Sequence, residues 1–79
     1  MTEKLRVELT YFKEGSGKFY SSAEYEPIAQ EFYAALTEIK ELLKKGSRPG
    51  LVNGHEFHVL VTIYWENGSL PHLFTRDQL

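Results

Sequence analysis

The chain has 79 residues, of which 42% are hydrophobic, 25% charged and 14% aromatic, with no cysteine. Those proportions exclude a disordered tail, a collagen-like repeat and a coiled coil, and the missing thiols exclude disulfides and thiolate metal sites. Nine basic against eleven acidic residues give a formal charge of −2, without the basic excess that nucleic-acid binders use to neutralise phosphate, so nucleic acid is not the expected partner.

Met1 to Lys4 are polar and no apolar run approaches the ~20 residues of a membrane span. A cytoplasmic chain with no signal peptide and no membrane association is therefore expected. Residues 5–12 alternate apolar and polar with a period of two, which predicts a half-buried strand: Leu5, Val7, Leu9 and Tyr11 on one side, Arg6, Glu8, Thr10 and Phe12 on the other. Two glycines in the polar stretch Lys13 to Lys18 predict a hairpin loop. The return strand over 19–26 alternates more weakly, with Phe19, Ser21, Ala23 and Tyr25 opposite Tyr20, Ser22, Glu24 and Glu26.

A helix is predicted over 27–45. Pro27 suits its first turn, and Ile28, Phe32, Ala35, Leu36, Ile39, Leu42 and Leu43 form an apolar stripe. Glu26 and Glu31 near its start and Lys44 and Lys45 near its end suit the helix dipole, and Gly46 can close it in the left-handed conformation. Ser47 to Gly54 has loop chemistry. Residues 56–65 are the strongest predicted strand, with Phe57, Val59, Val61, Ile63 and Trp65 on one face and His58, Leu60, Thr62 and Tyr64 on the other. Asn67-Gly68 predicts a type I′ turn, and 70–74 a short strand at a sheet edge, because Pro71 lacks a ladder donor. Thr75 to Leu79 is expected to fray.

The fold expected is a single α+β domain over 1–79, of order ββαββ: a four-stranded, mostly antiparallel sheet with one helix packed on one face. Strand orders 2-1-3-4 and 1-2-3-4 both satisfy the pattern. The other sheet face has no covering element left in the sequence, and it should carry Arg6, Glu8, Thr10, Phe12, Tyr20, Ser22, Glu24, His58, Leu60, Thr62 and Tyr64. Aromatics among charges are amphipathic in the manner of binding surfaces.

Three motifs invite a sharper claim. His55-Glu56-Phe57-His58 resembles the zinc-protease pattern, but the second histidine would have to stand at Val59, and on a strand residues 55 and 58 point to opposite sides. Gly15-Ser16-Gly17-Lys18 is followed by a strand instead of the helix that a phosphate loop requires. A pairing of His58 with Glu8 or Glu24 across the open face would make an acid–base couple, but a cross-strand surface pair is the simpler reading. So short a chain also has little volume for a water-excluding pocket. No metal, no cofactor and no catalytic residue is expected.

Three stretches resemble segments of small uncharacterised proteins encoded by tailed bacteriophages and prophages. They are Gly17-Lys18-Phe19-Tyr20-Ser21-Ser22-Ala23-Glu24-Tyr25-Glu26, the Arg48-Pro49-Gly50-Leu51 loop, and Phe57-His58-Val59-Leu60-Val61 leading to Leu70-Pro71-His72-Leu73. The chain departs from that pattern at Ala23, where glycine is expected, and lacks a proline- and histidine-rich run before Pro71-His72-Leu73. The resemblance implies no activity, only a class: compact, acidic phage proteins that act by binding and blocking a host factor.

The function expected is that of a non-enzymatic binding protein, presenting the uncovered face and the Ser47–Gly54 loop to a host protein. Arg6, Phe12, Tyr20, Arg48, His58 and Tyr64 are the candidate contacts, since aromatics and arginine dominate interface energetics. A homodimer is also expected, because burying the same aromatics would help so small a core. The alternatives are a nucleotide or small-ligand site in a cleft between protomers, lined by Arg6, Arg48, His58 and His72, and a minor nucleic-acid role.

Overall fold

The computed structural model describes residues 4–13, 15, 17–50 and 57–79. Strands β1 (Arg6–Lys13) and β2 (Phe19–Tyr25) form a hairpin, helix α1 (Phe32–Lys44) follows, and β3 (Phe57–Trp65) and β4 (Gly68–Phe74) form a second hairpin ending in a 3-10 turn, Arg76–Gln78. The sheet is antiparallel throughout in the order β2-β1-β3-β4. This is the expected ββαββ arrangement, and it selects one of the two strand orders left open. The chain leaves edge strand β2, passes through α1 and re-enters the sheet beyond β1.

Alternation in β1 and β3 builds the core. Val7, Leu9 and Tyr11 stand beside Ile63, Val61 and Val59 in register, with Phe57 below them, and all are fully buried. Ala35, Ile39 and Leu43, spaced at three to four residues, place one stripe of α1 on this layer. Full burial of each large aliphatic side chain favours the folded state by about 1.5–3 kcal/mol, so these two central strands and one helix stripe dominate stability.

The helix starts at Phe32, five positions after Pro27, and this corrects the expected span of 27–45. Pro27 to Gln30 are held outside the helix by Glu38, whose carboxylate accepts the N–H groups of Ile28 at 2.9 Å and Ala29 at 2.9 Å and the Tyr25 hydroxyl at 2.6 Å. Glu31 then serves as the N-cap, with extended dihedrals and its carboxylate accepting from the Ala34 amide at 3.0 Å. Ile28, assigned to the apolar stripe from sequence, is instead 86% exposed. At the other end the expectation holds. Gly46 has φ +87°, its N–H donates to Leu43 and that of Ser47 to Leu42, the paired bonds of a Schellman motif.

Three further differences change which residues share a surface. First, β2 carries a bulge: Tyr11 pairs with Ser21 but Phe12 with Phe19, so Tyr20 is the extra residue and the alternation inverts at that point. Second, Trp65 pairs with Gly68, so the connecting residues are Glu66 and Asn67. Neither Asn67 nor Gly68 has a positive φ, and the turn is not type I′. Third, Thr75 to Leu79 do not fray. Gln78 closes on Thr75 through paired bonds of 3.0 Å, Arg76 N–H donates to Nδ1 of His58 at 3.0 Å, and Leu79 packs against the core.

Candidate functional site

No described element covers the face of the sheet opposite α1; the C-terminal turn only borders one end. The register arranges this face in rows across the strands. At one end Arg6 lies beside Tyr64 and Ser69. Next come Glu24, Glu8, Thr62 and Pro71, then Ser22, Thr10, Leu60 and Leu73. At the far end are Phe19, Phe12 and His58. Charge therefore collects at one end and apolar surface at the other.

At the charged end, the Arg6 guanidinium sits 4.6 Å from the centre of the Tyr64 ring, a cation–π contact, and 3.6 Å from the Glu24 carboxylate. These contacts offset the repulsion implied by Glu8 directly opposite Glu24. Lys4 pairs with Glu26 at the corner. The Glu26 carboxylate, by hydrogen bond and charge, raises the Lys4 pKa above its usual value.

At the apolar end, Phe12, Leu60 and Leu73 line a shallow depression with Gly17 and His58. Phe19 flanks it on β2 and is 63% exposed, while Leu73 on β4 is 49% exposed. His58 completes the rim. Its Nδ1 accepts the Arg76 amide, which leaves Nε2 to carry the proton of the neutral ring.

Of the six contacts expected from sequence, the structure brings Arg6, Phe12, His58 and Tyr64 onto this face and places Tyr20 and Arg48 on the other side. The bulge turns Tyr20 toward the helix side, where its ring lies 4.7 Å from that of Phe57, a core residue. Phe19 takes the vacated position opposite Phe12. Arg48 belongs to a loop fastened on the helix side. The Tyr11 hydroxyl donates to the Pro49 carbonyl at 2.7 Å, Ser21 Oγ donates to the Gly50 carbonyl at 3.3 Å, and Gly50 lies directly over Ala23. Burial pushes the Tyr11 hydroxyl up to about 12, an effect that the Arg48 charge lowers in part.

The cleft residues separate in the same way. His72 pairs in register with Val61 on the helix side and makes an edge contact with Phe74, centroids 4.6 Å apart. Arg6 and His58 therefore lie on one face of the protomer, Arg48 and His72 on the other. The acid–base couple is not formed either: His58 pairs with Phe12, whereas Glu8 pairs with Thr62, so the two lie about 13 Å apart along the strands. Residues 51–56, with His55 and Glu56 of the metal-like motif and the second half of the Ser47–Gly54 loop, lie outside the described residues. Among the described residues no group of three or more His, Asp or Glu side chains could hold a metal, and no helix is long and apolar enough to cross a membrane.

Phe19 and Leu73 are the members of the surface that sequence reasoning missed. For Leu73 the signal was available: two positions beyond Pro71, it must share its face. For Phe19 it was not, because the inversion at Tyr20 depends on the pairing with β1. No protein-family model, no curated protein and no solved structure matches the chain.

Proposed function

We propose that this chain is a non-enzymatic binding protein whose working surface is the uncovered face of its sheet, closed by protein. The observation that carries this reading is the unequal distribution on that face: Phe12, Phe19, Leu60 and Leu73 gather at one end, and Arg6, stacked on Tyr64, stands with Glu8 and Glu24 at the other. A contiguous apolar patch beside a charged one is the mixture that protein-recognition surfaces carry. A homodimer uses such a face, and so does a host protein of the kind that the resemblance to phage and prophage proteins implies. The role of Tyr20 and Arg48 is then indirect, since they stand on the helix side. The cleft reading has less support, because Arg6 is already engaged by Glu24 and Tyr64.

The test is binding to a partner recovered from a bacterial lysate and then titrated in purified form, compared between the native chain and variants. Phe12→Ala and Tyr64→Ala are each expected to weaken binding by about thirtyfold, the effect of losing a contact worth ~2 kcal/mol. Arg48→Ala, on the opposite side, is expected to leave it unchanged. The reverse pattern, loss with Arg48→Ala and none with the two aromatic changes, assigns function to the helix side and defeats the proposal.

A further inference from the structure

The C-terminal turn is fastened by a bond that only a neutral histidine can make. Arg76 opens the turn, and its backbone N–H lies 3.0 Å from Nδ1 of His58 on β3. A backbone amide nitrogen donates and does not accept, so Nδ1 must present its lone pair to it. Protonation of the imidazole places a hydrogen on both ring nitrogens. Two donors would then face each other across the same 3.0 Å, and they must part.

Most of the turn's other bonds close it on itself. The Gln78 N–H donates to Thr75, the Leu79 N–H to Arg76, and the Thr75 N–H to the Gln78 carboxamide. Its ties to the rest of the protein are the His58 bond, the packing of Leu79 against the core and a further contact of Arg76. Around the His58 ring, β1 sets Phe12 opposite it, β4 brings Leu73 and the first hairpin brings Gly17. The charged groups at this end of the sheet are Arg76 and Asp77 on the turn and Lys13 and Lys18 on the hairpin. Among the described residues no carboxylate forms an ion pair with His58. Glu14 and Glu56 lie outside the described residues. A protonated ring therefore loses the amide bond and gains no described carboxylate in exchange.

We propose that His58 is a proton-operated latch: neutral, it holds the C-terminal turn against the far end of the open face; protonated, it lets the turn go. His58 also lines the depression with Phe12, Leu60 and Leu73, so release alters the apolar end of that face. A neutral rim with the turn in place becomes a cationic rim with the turn withdrawn. Histidine is the residue type whose charge ordinarily changes between about pH 5 and 8. The Glu38 carboxylate, lowered below its usual 4.5, stays charged over that range. The latch stands whatever the open face binds.

Backbone ¹⁵N relaxation at about pH 8 and about pH 5, the two ends of the histidine range, tests the proposal, with the His58 ring resonances reporting protonation in the same samples. In the native chain the amides of Arg76 to Leu79 are expected to have order parameters near about 0.85 at the higher pH and below about 0.6 at the lower. His58→Asn sets an amide oxygen, which accepts and does not titrate, in the place of Nδ1; its turn is expected to stay ordered at both. His58→Leu removes the acceptor and should leave the turn mobile at both. His72→Asn, on the helix side, should keep the native response. A native turn that stays ordered while the His58 ring is protonated overturns the latch. So does a ring that is still neutral at the lower pH, or a turn that loosens there equally in His58→Asn.

Discussion

Glu38 joins three parts of the chain that would otherwise separate. Its carboxylate takes the Tyr25 hydroxyl from the end of β2 and the amides of Ile28 and Ala29 from the segment before the helix. Burial alone would push its pKa up, but the Tyr25 hydroxyl and the Ala29 and Ile28 amides favour the charged form and leave it below the usual 4.5. The same bond raises Tyr25 from 10 to about 12, because the phenol donates to a carboxylate, with burial and the negative charge adding to the effect. The two groups act at opposite ends of the pH scale. Glu38, lowered in the folded state, contributes stability that is complete above about pH 4.5 and lost as pH falls through its folded value. Tyr25, raised in the folded state, contributes stability that is complete below pH 10 and lost as pH rises from 10 toward about 12. Glu38→Gln is expected to cost about 1–2 kcal/mol in urea denaturation at pH 7, and the gap from the native chain should close below pH 4.5. An undiminished gap at pH 3 would place the effect elsewhere than in the charge. Tyr11 and Tyr25 should ionise near 12 in an ultraviolet titration, and Tyr25→Phe should remove one of these two late steps.

The elements differ in how far sequence alone determines them. Period-two alternation in 5–12 and 56–65 and the Ala35, Ile39, Leu43 stripe are local patterns, and each is reproduced in the core. The helix start is not local. Pro27 and Ile28 fit a first turn by propensity, but a carboxylate ten residues ahead of Ile28 takes its amide and the segment is drawn out of the helix. The face of Phe19 and Tyr20 is likewise decided by pairing, since one extra residue inverts them; four of the six expected contacts fall on the open face, and the two that do not trace to that bulge and to the tethered loop. The loop provides its own test. Gly50 has φ +78°, and a Cβ there would stand 2.5 Å from the Ala23 Cβ, so backbone and packing both demand glycine. Gly50→Ala should therefore destabilise by about 2 kcal/mol or more. Adding Ala23→Gly should recover the steric part and leave the backbone strain, a coupling that a double-mutant cycle reads directly. Equal losses in the single and double variants would mean that the loop moves away from β2 instead of resisting.

At the scale of the molecule, one layer of helix on a single sheet leaves half of the β surface uncovered by any described element. The protomer then has two requirements that pull apart: a core closed by α1, and apolar side chains on the reverse side that gain nothing until something excludes water from them. A homodimer through this face, one of the two uses proposed for it, would couple the two, because a partner that binds only the folded chain adds its association free energy to folding. Above the dissociation constant, each tenfold rise in protein concentration adds about 1.4 kcal/mol per dimer, or roughly 0.7 kcal/mol per chain. For a domain of this size that corresponds to about 3–5 °C in Tm. Scanning calorimetry at several concentrations should show this slope in the native chain. Leu73→Glu, at the exposed apolar end of that face, should unfold at a lower temperature that does not change with concentration. Under the same treatment Gly50→Ala should lower Tm at every concentration and keep the slope, because it weakens the protomer and leaves the open face intact. A native Tm that stays constant from about 1 to 500 μM, a span covering micromolar affinities, would remove the homodimer and leave the open face to a different protein.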